Sequence, residues 1–338
     1  MVKPLEPSVL RWGIIGPGRI AGEFAKSLIA VDGAVLYAVA SRDSARAEKF
    51  ARDHCAAVHY DSYHALLEDP RVDAVYIATP HRFHYQQARD SLLAGKPVLC
   101  EKPMTVNARE ARELIILARA SNIFLMEAMR TRYLPAYQEV RRWLDIGKIG
   151  TIEKVTSSFG FEFPRDLQDR LLSHELAGGA LLDLGVYNLS MSQWVFAQQP
   201  ESFSIEGVLG DTRVDEHDEA TMVYQGGRSS TFTISMTTRL DNDLTIHGSA
   251  GRITVHPMFW NATRATLYTH DGLTGQEETR TVSRELRATG MEYEIEEAVR
   301  CIRQGLIESP QMPLRDTLHT MTLMDQMRSA MGLTYTFE

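Results

Sequence analysis

Two short segments of the chain carry side chains that could move a proton. Residues 99–103 place Lys102 at the C-terminal end of a predicted strand, and residues 178–187 place Asp183 and Tyr187 four positions apart. On a helix that spacing puts the carboxylate and the phenol on one face. A phenol, whose pKa starts at about 10, exchanges protons at neutral pH only beside positive charge, which a lysine would supply. A surface turn at Lys102, and a capping carboxylate with a core ring at Asp183 and Tyr187, are the structural alternatives.

A glycine-rich segment near the start of the chain has the spacing of a dinucleotide-binding turn. Gly16, Gly18 and Ala21 fit the pattern G-x-G-x-x-A, with Arg19 and Ile20 between the last two. The first glycine allows a tight bend, and the second lets the backbone approach a pyrophosphate at a helix N-terminus. The segment follows a strand-like run and precedes a helical period, which is the context that this motif requires. An ordinary Gly-Pro-Gly turn is the alternative interpretation.

The end of the second predicted strand indicates which dinucleotide is bound. An NAD site usually carries an acidic residue about 20 positions after the glycines, where it binds the ribose 2′-hydroxyl. This chain has Ser41 and Arg42 there. A planar guanidinium matches the oxygens of a 2′-phosphate, so the sequence predicts NADP, with NAD less favoured. Asp43 comes too late for the ribose and, like Ser44, is interpreted as a cap of the next helix; a solvated surface charge is the alternative for Arg42.

Strand-like and helix-like periods alternate over the first 130 residues. Buried strands are predicted at 11–15, 34–40, 74–78, 97–100 and 123–126, and helices between them include 84–93 and 107–120. Short loops between strands and helices mean crossover connections, and hence a parallel, doubly wound Rossmann sheet. Residues 1–130 are therefore predicted to be the NADP-binding domain.

The pattern changes in residues 131–338, where most segments are β-rich. Strands are predicted within 151–163 and at 219–224, 229–238, 244–247 and 252–256, and helices at 134–144, 179–196, 293–304 and 314–331. Turn-forming residues between the strands favour antiparallel neighbours. The second half is thus predicted to be an α+β domain with a large open, mostly antiparallel sheet that serves substrate binding and dimerisation. A broad sheet with one uncovered face is an association hazard, from which we infer a homodimer through that face.

Composition limits the class of protein. The 338 residues are 44% apolar and 24% charged, and the formal net charge is −8. This is ordinary globular usage without the basic footprint of a nucleic-acid or membrane-surface protein. No apolar run approaches the ~20 residues of a membrane span. Because no signal-like segment is seen, the three scattered cysteines are interpreted as reduced thiols of a cytoplasmic protein.

The histidines do not form a metal-binding motif. His174-Glu175 has the beginning of a zinc motif, but no second histidine follows at the required spacing. His81 and His84 have no accompanying cysteine or histidine cluster. We expect no metal.

Taken together, these segments resemble the Gfo/Idh/MocA oxidoreductases. The resemblance rests on motifs that follow in family order: Gly16-x-Gly18-x-x-Ala21, Thr79-Pro80 with His84, Glu101-Lys102-Pro103 and Asp183-x-Gly185-x-Tyr187. It implies that Lys102 and Tyr187 are the acid/base pair and that Asp183 orients the substrate or a neighbouring side chain. It also implies a cofactor shell made of Gly16, Gly18, Arg19, Ile20, Ser41, Arg42, Thr79, Pro80, His84, Glu101 and Lys102.

Within that family, residues 127–135, 178–183, 248–260 and 296–314 are similar to one branch. It comprises the dimeric dihydrodiol dehydrogenases and NADP-dependent D-xylose dehydrogenases. The branch typically has an aromatic residue where this chain has Arg130, and we expect Arg130 and Arg132, with Asp183 and Tyr187, to contact the substrate. Replacing a stacking ring by a cation favours a sugar or an acidic polyol over an aromatic dihydrodiol.

The resemblance and the residues therefore predict an NADP-dependent oxidoreductase. It would move a hydride between the nicotinamide and a CH–OH group of a small sugar, polyol or trans-dihydrodiol. One alternative is an NADPH-dependent reductase of a keto-sugar of the 1,5-anhydrofructose type. Another is a non-catalytic NADP-sensing regulator, against which the joint presence of Lys102, Asp183 and Tyr187 argues.

Overall fold

The chain forms two compact units in a computed structural model, which describes residues 9–167, 169–270 and 276–338. Unit 1 comprises the chain up to Thr105 together with Arg109–Ala128 and Arg287–Leu314. Unit 2 comprises Val106–Ala108, Met129–Leu286 and Arg315–Glu338. The main change of unit falls beside the boundary expected at residue 130, whereas Arg287–Leu314, expected in the second domain, belongs to unit 1.

Unit 1 is built on a parallel sheet, as predicted. Within its described residues, six strands pair in parallel in the order β3-β2-β1-β4-β5-β6. The strands are β1 (Leu10–Ile15), β2 (Ala34–Ala40), β3 (Val58–Tyr60), β4 (Ala74–Ile77), β5 (Val98–Glu101) and β6 (Leu125–Ala128). The chain runs outward from β1 to β3 and then returns to place β4 beside β1. This reversal is the switch point at which open α/β sheets bind ligands.

Helices connect these strands and cover the sheet. They are α1 (Arg19–Leu28), α2 (Ser44–Asp53), α3 (Tyr63–Glu68), α4 (His84–Leu93) and α5 (Ala108–Ser121). Helix α1 buries Ala21 and Phe24, and the Phe24 ring stacks on Tyr76 of β4 with 3.8 Å between ring centroids. Asp43, rather than Ser44, caps α2 by accepting a hydrogen bond from the Arg46 N–H.

Unit 2 is built on a wider sheet. Among its described residues, eight strands pair in the order β14-β13-β12-β11-β7-β10-β9-β8. They are β7 (Ile152–Gly160), β8 (Ser202–Leu209), β9 (Asp215–Val223), β10 (Ser229–Ser235), β11 (Leu244–Gly248), β12 (Gly251–Val255), β13 (Arg264–His270) and β14 (Glu277–Ser283). Neighbours are antiparallel except β7 and β10, which are parallel. The predicted large, mostly antiparallel sheet is thus confirmed. The long connection between β7 and β10 permits their parallel pairing, which a hairpin does not.

The two faces of this sheet differ in composition. The inner face carries buried apolar side chains such as Phe232, Ile234 and Ile246, against which α6 (Pro135–Asp145) and α7 (Val186–Phe196) pack. The outer face is rich in threonine, most of it half-buried. Outward residues of the central strands and of β12 are Thr156, Thr231, Thr233, Thr245 and Thr254. The alternation follows from the two-residue period of a strand.

The last two helices belong to different units. Helix α8 (Glu292–Arg303) lies in unit 1, where the Glu292 carboxylate accepts hydrogen bonds from Ser27 Oγ of α1 and from the Gly290 N–H. Helix α9 (Leu314–Met331) carries the buried Arg328 of unit 2, which donates to Asp325 and Glu338. No helix in the described part of the chain combines the length and apolar character needed to cross a membrane.

Candidate active site

The turn between β1 and α1 has the backbone that its glycines predicted. Gly16 has φ +90°, and a Cβ there would lie 2.6 Å from Thr79 Cγ2. Only glycine therefore lets the turn pack against the end of β4. At Gly18, the N-cap of α1, the nearest atom to such a Cβ would be Ala78 O at 4.0 Å, so packing does not require this glycine. Its missing side chain leaves the first amides of α1 uncovered, and such amides bind phosphate, so the turn fits a dinucleotide pyrophosphate.

The first turn of α1 also holds the next two residues of the expected cofactor shell. Arg19 is exposed and Ile20 is half-buried. These positions leave the Arg19 guanidinium available to an anion and the Ile20 side chain available for apolar contact.

The end of β2 presents a basic surface. Ser41 is buried and its Oγ accepts a hydrogen bond from the Asp43 N–H at 3.1 Å. Arg42 is exposed, with its guanidinium 5.5 Å from the centroid of the Phe83 ring. Arg46, which sequence reasoning missed, is also exposed and lies 3.5 Å from the Pro17 carbonyl of the glycine-rich turn. The segment after β2 thus presents two exposed guanidinium groups rather than one, and that of Arg46 lies beside the β1–α1 turn.

The loop after β4 is joined to the loop after β5 through His84. This side chain is fully buried, with Nε2 2.7 Å from the Thr79 carbonyl and Nδ1 2.8 Å from the Pro103 carbonyl. Burial lowers the pKa of His84 to about 3, so the ring is neutral and donates to one carbonyl at a time. The resemblance placed Thr79, Pro80 and His84 in the cofactor shell; the burial of His84 favours a bracing role, and Thr79 and Pro80 are the half-buried members of this loop.

Lys102 follows the last residue of β5, at the carboxyl edge of the unit 1 sheet. It is half-buried, and the Lys102–Pro103 peptide bond is cis. Glu101 is buried beside it and accepts hydrogen bonds from the Tyr76 hydroxyl at 2.5 Å and from the Lys102 N–H at 3.2 Å. These bonds fix the backbone from which Lys102 projects.

The second proposed group lies on a continuous helical segment of unit 2. Leu181–Gly185 is a π-helical turn that leads directly into α7, and such turns recur at functional sites. Asp183 and Tyr187 are both 7% exposed. Arg170, which sequence reasoning missed, donates to the Asp183 carboxylate at 3.1 Å. The structure thus brings Asp183 and Tyr187 onto one rigid segment, with a guanidinium holding the carboxylate.

Gly185 serves packing rather than ligand access. A Cβ at this position would lie 2.9 Å from Leu181 Cδ1 and 3.0 Å from Ile234 Cδ1 of β10. The glycine lets the helical segment approach the sheet.

An aromatic cluster lies beside Tyr187 and contacts it through Phe159. Phe159 lies 5.7 Å from the Tyr187 ring and stacks on Trp260, with centroids 3.6 Å apart and planes 4° from parallel. Phe161 meets Trp260 edge-on at 5.7 Å, and Phe163 follows Phe161 at 6.1 Å. Sequence reasoning missed this cluster, although aromatic residues at every second position from 159 to 163 indicate one face of an extended segment.

The two arginines expected to bind substrate have different surroundings. Arg130 is half-buried in the turn Arg130–Tyr133. The Arg132 side chain is 1% exposed and donates to Asp316 at 2.6 Å and to Ser190 Oγ at 3.1 Å. These bonds favour a structural role for Arg132 over the substrate contact expected from the resemblance. A buried charge requires a partner, and the Arg132 guanidinium uses its donors on Asp316 and Ser190.

Thiol and metal chemistry find no support in the described residues. Cys55, Cys100 and Cys301 are all free. Cys100 is buried, which raises the pKa of its thiol well above its usual value and makes it unreactive. Across residues 9–167, 169–270 and 276–338, no three His, Cys, Asp or Glu side chains lie together as metal ligands would.

Family models match both halves of the chain. Residues 10–129 match the Gfo/Idh/MocA oxidoreductase family with an NAD-binding Rossmann fold, and residues 137–254 match the Gfo/Idh/MocA C-terminal domain. The chain is 35% identical to trans-1,2-dihydrobenzene-1,2-diol dehydrogenase of Xenopus tropicalis, over 96% of its own length and 99% of that protein. The Mus musculus enzyme of the same name is also 35% identical, over 96% and 98%.

Solved structures share the fold over nearly the whole chain. KijD10, a 3-ketoreductase from Actinomadura kijaniata in complex with NADP and TDP-benzene, is 27% identical with a TM-score of 0.82 and covers 95% of this chain and 97% of its own. Aldose-aldose oxidoreductase from Caulobacter crescentus, solved with glycerol, has a TM-score of 0.85 at 20% identity and covers 96% and 97%. At 20% identity the similarity concerns the fold alone.

The chain belongs to the Gfo/Idh/MocA oxidoreductase family. Its motifs predicted this family, and the matches confirm the prediction. The protein is therefore an oxidoreductase with a nicotinamide-dinucleotide-binding Rossmann domain and a second domain built on a large mixed sheet.

Replacing Arg132 tests its structural role. Arg132→Met leaves the Asp316 carboxylate without its buried partner, and removing one member of a buried pair costs about 3–5 kcal/mol. We expect a lower free energy of unfolding in urea, whereas Arg315→Met, an exposed neighbour, leaves it within about 0.5 kcal/mol. A stable Arg132→Met protein with a raised KM would instead support the substrate contact.

Proposed function

We propose that this protein transfers a hydride between NADP and a CH–OH carbon of a small sugar, polyol or dihydrodiol. The observation that carries the proposal is the position of Lys102 after β5, at the carboxyl edge of the sheet whose glycine turn fits a pyrophosphate. Ligands of open α/β sheets bind at this edge. Relatives that are 35% identical over the full length are named as diol dehydrogenases, which supports a CH–OH substrate.

NADP would be held by residues of unit 1. Gly16, Gly18 and the first turn of α1 would bind its pyrophosphate, and Thr79 and Pro80 would border the same turn. Ser41, Arg42 and Arg46 would meet the 2′-phosphate, because they combine a hydroxyl with two exposed guanidinium groups. The 3-ketoreductase that is 27% identical was solved with NADP, which supports the same choice here.

When bound, NADP supplies the hydride acceptor for oxidation, and NADPH the donor for reduction. In the oxidation, a C–H bond of the alcohol breaks as the hydride leaves, and its O–H proton passes to the Tyr187 oxygen while the carbonyl forms. Lys102 is proposed as the second proton-exchanging group, because an ammonium and a phenol are both side chains that can give or take a proton. Lys102 and Tyr187 together make up the proposed acid/base unit.

Asp183 would orient the substrate hydroxyl or the neighbouring side chain. Its carboxylate is fixed by Arg170 at 3.1 Å and lies on the same helical segment as Tyr187. The same 3-ketoreductase has been solved with a lysine replaced by alanine and with a tyrosine replaced by phenylalanine, each with NADP. Those are the two residue types that we propose as the acid/base unit.

The surroundings of Tyr187 favour a ring-shaped substrate with several hydroxyls. The aromatic cluster beside Tyr187, in which Phe159 and Trp260 are buried and Phe161 is half-buried, would supply an apolar surface for the C–H face of a sugar or the ring of a cyclic diol. Asp183 and Arg130 offer charged hydrogen-bonding groups. A sugar or polyol uses both kinds of surface.

A second candidate is the reverse reaction, the NADPH-dependent reduction of a keto-sugar of the 1,5-anhydrofructose type. The similarity to a 3-ketoreductase supports this direction. The presence of Lys102, Asp183 and Tyr187 disfavours a non-catalytic NADP-sensing regulator. Rates measured with NADP plus alcohol and with NADPH plus ketone distinguish alcohol oxidation from ketone reduction as the favoured reaction.

Replacing either member of the acid/base unit should abolish turnover. Lys102→Met and Tyr187→Phe are expected to lower kcat by about 100-fold or more, since a positioned acid or base contributes about 10²–10⁴. NADP affinity, measured by fluorescence titration, should change by less than about threefold for Tyr187→Phe. Lys49→Met, an exposed lysine of α2, is the control. An undiminished kcat in Lys102→Met would refute its role.

Replacing Arg42 should change the choice of dinucleotide. Charge-assisted hydrogen bonds contribute about 1.5–3 kcal/mol, so Arg42→Ala should weaken NADP binding by about 10–100-fold and leave NAD binding nearly unchanged. Arg46→Ala should act in the same direction. Arg52→Ala, which removes an exposed guanidinium of α2, is the control. Equal losses for NADP and NAD would show that Arg42 does not bind the 2′-phosphate.

We also propose a cytoplasmic homodimer that forms through the outer face of the unit 2 sheet. All three cysteines are free, as is usual in a reducing compartment. The centre of the outer face carries neutral Thr156, Thr231, Thr233 and Thr245, and charged residues lie around them, on the edge strands and at the end of β7, where Lys154 is exposed. A neutral centre with a charged rim is the ordinary anatomy of a protein interface, and a flat face can meet its own copy around a twofold axis.

A bulky charge at the centre of that face should separate the dimer. Thr233→Arg would bury two like charges against each other in a symmetric contact, and sedimentation should then report the 38.0 kDa monomer. Ala120→Arg, on exposed α5 of unit 1, should leave the dimer intact. A wild-type protein that sediments as a monomer at micromolar concentration would refute the proposal.

A further inference from the structure

The helical segment that carries Asp183 and Tyr187 begins at a pair of buried carboxylates. Asp215 and Asp218 of β9 are both 0% exposed. The Leu181 N–H, at the first residue of the π-helical turn, donates to Asp215 Oδ2. The N–H groups at the start of a helix lack intrahelical partners and favour a negative charge. Asp215 therefore acts as a cap supplied by the sheet rather than by the chain before the helix.

The turn before the helix is shaped to accept this carboxylate. Gly179 has φ +122°, and a Cβ there would overlap Asp215 Oδ1. The Gly179 carbonyl accepts from the Asp183 N–H at 3.2 Å, so the same turn is bonded to the proposed site residue. On its other side, the Tyr335 hydroxyl donates to the Gly178 carbonyl at 2.6 Å. The start of the helix is thus held between β9 and the C-terminal segment.

An irregularity in the sheet aims Asp215 at the helix. Residues three apart on a regular strand lie on opposite faces. Gly207 of β8 pairs with Asp218, but Leu209 pairs with Asp215, so β9 has one residue more than its partner between these pairs. Such a bulge re-aims a side chain, and bulges are frequent beside active sites. It places both carboxylates on the buried side of the strand.

The two carboxylates require a shared proton. If both were ionised, Asp215 Oδ1 and both Asp218 oxygens would have no hydrogen-bond donor among the described residues. Asp215 and Asp218 are close enough to hydrogen bond to each other once one of them is protonated. Burial and the neighbouring Asp215 charge raise the pKa of Asp218 to about 10, so the pair holds one proton at neutral pH.

Charged groups from other elements also face this pair. The positive charge of Arg328 in α9 favours an ionised Asp215. The Arg328 guanidinium itself donates hydrogen bonds to Asp325 and Glu338. Tyr335 lies beside it with a pKa raised well above its usual value, mainly by burial, and stays neutral. Glu216, between the two aspartates, turns its carboxylate to Arg165. None of these groups replaces the shared proton as a donor to the pair.

We propose that Asp215, buried beside the helix start and bonded to the Leu181 N–H, is the positioning residue of the helix that carries Asp183 and Tyr187. The proposal rests on the function proposed above, in which those two side chains meet the substrate. Misplacing a reacting group by about 1 Å can cost about 100-fold in rate. The acid pair therefore acts on catalysis through the helix, without touching substrate.

Four variants separate this role from a general effect on folding. Asp215→Ala removes the acceptor of the Leu181 N–H and should lower kcat by about tenfold or more, with NADP affinity unchanged because its binding residues lie in unit 1. Asp215→Asn keeps a carbonyl oxygen at that point and should recover most of the activity. Asp218→Asn supplies a permanent N–H donor to Asp215 and should retain wild-type kcat within about threefold. Glu219→Gln, exposed on the same strand, is the control.

Hydrogen exchange tests the same proposal without any turnover. Amides of residues 179–187 should exchange at least about tenfold faster in Asp215→Ala than in wild type, and at wild-type rates in Asp218→Asn. If wild type turns over no alcohol or ketone, the proposed function fails, while this exchange result still decides the role of Asp215. Unchanged exchange and unchanged kcat in Asp215→Ala would overturn the proposal.

The pH dependence gives a further readout. Folded Asp218 holds a proton that its unfolded form loses above about pH 4, so the free energy of unfolding of wild type should fall as pH rises toward 10. Asp218→Asn lacks this titration and should gain stability relative to wild type across that range. If Asp215→Ala does not fold, Asp218→Leu, which replaces the donor by an apolar side chain, is measured instead. Exchange and kcat equal to those of Asp218→Asn would then overturn the proposal.

Discussion

Close approach of backbone to neighbouring atoms, permitted by glycine, is the constraint on which both parts of the proposed site depend. In unit 1, Gly16 lets the β1–α1 turn lie against Thr79 at the end of β4. In unit 2, Gly179 admits the Asp215 carboxylate, and Gly185 lets the helical segment settle on Ile234. A methyl group at any of these positions would push apart elements that carry functional residues. Because these three glycines have no Cβ atom, the chain packs closely enough to hold Asp183, Tyr187 and the cofactor-binding turn in their positions.

Buried charge is the second organising feature, and each buried charged group has a nearby partner that compensates for the loss of water. Arg132 is matched by Asp316, and Asp183 by Arg170. Asp215 has no cation within hydrogen-bonding contact among its described neighbours, and a shared proton takes that place. Removing charges from water is costly unless partners compensate, so such groups hold surrounding elements in one arrangement. In this protein the compensated groups cluster around the segment that carries Tyr187.

Prediction from sequence succeeded where a pattern is local. Strands β1, β2 and β4 are mostly apolar runs bounded by polar or turn-forming residues, and α4 and α9 show their helical period, so their bounds were predicted within about two residues. The parallel pairing of β7 with β10 could not be predicted, because pairing between distant strands leaves no local pattern. The three-residue strand β3 is too short for its alternation to show. Residues 287–314 pack in unit 1 through contacts with α1, such as that of Ser27 with Glu292. This placement was not predicted because the contacting residues lie far apart in sequence.

The sequence by itself determined the family, the glycine-rich turn, and the residue types at Lys102, Asp183 and Tyr187, because each depends on a few adjacent residues with a fixed spacing. The tertiary structure decided which side chains support them. It pairs Arg132 with Asp316 and Asp183 with Arg170. It also packs Gly185 against the sheet and places the Asp215 carboxylate at the N-terminus of the helical segment. Burial and pairing between residues tens of positions apart are properties of the packed chain. A bulge of one residue in β9 is enough to turn a carboxylate from one face of the sheet to the other.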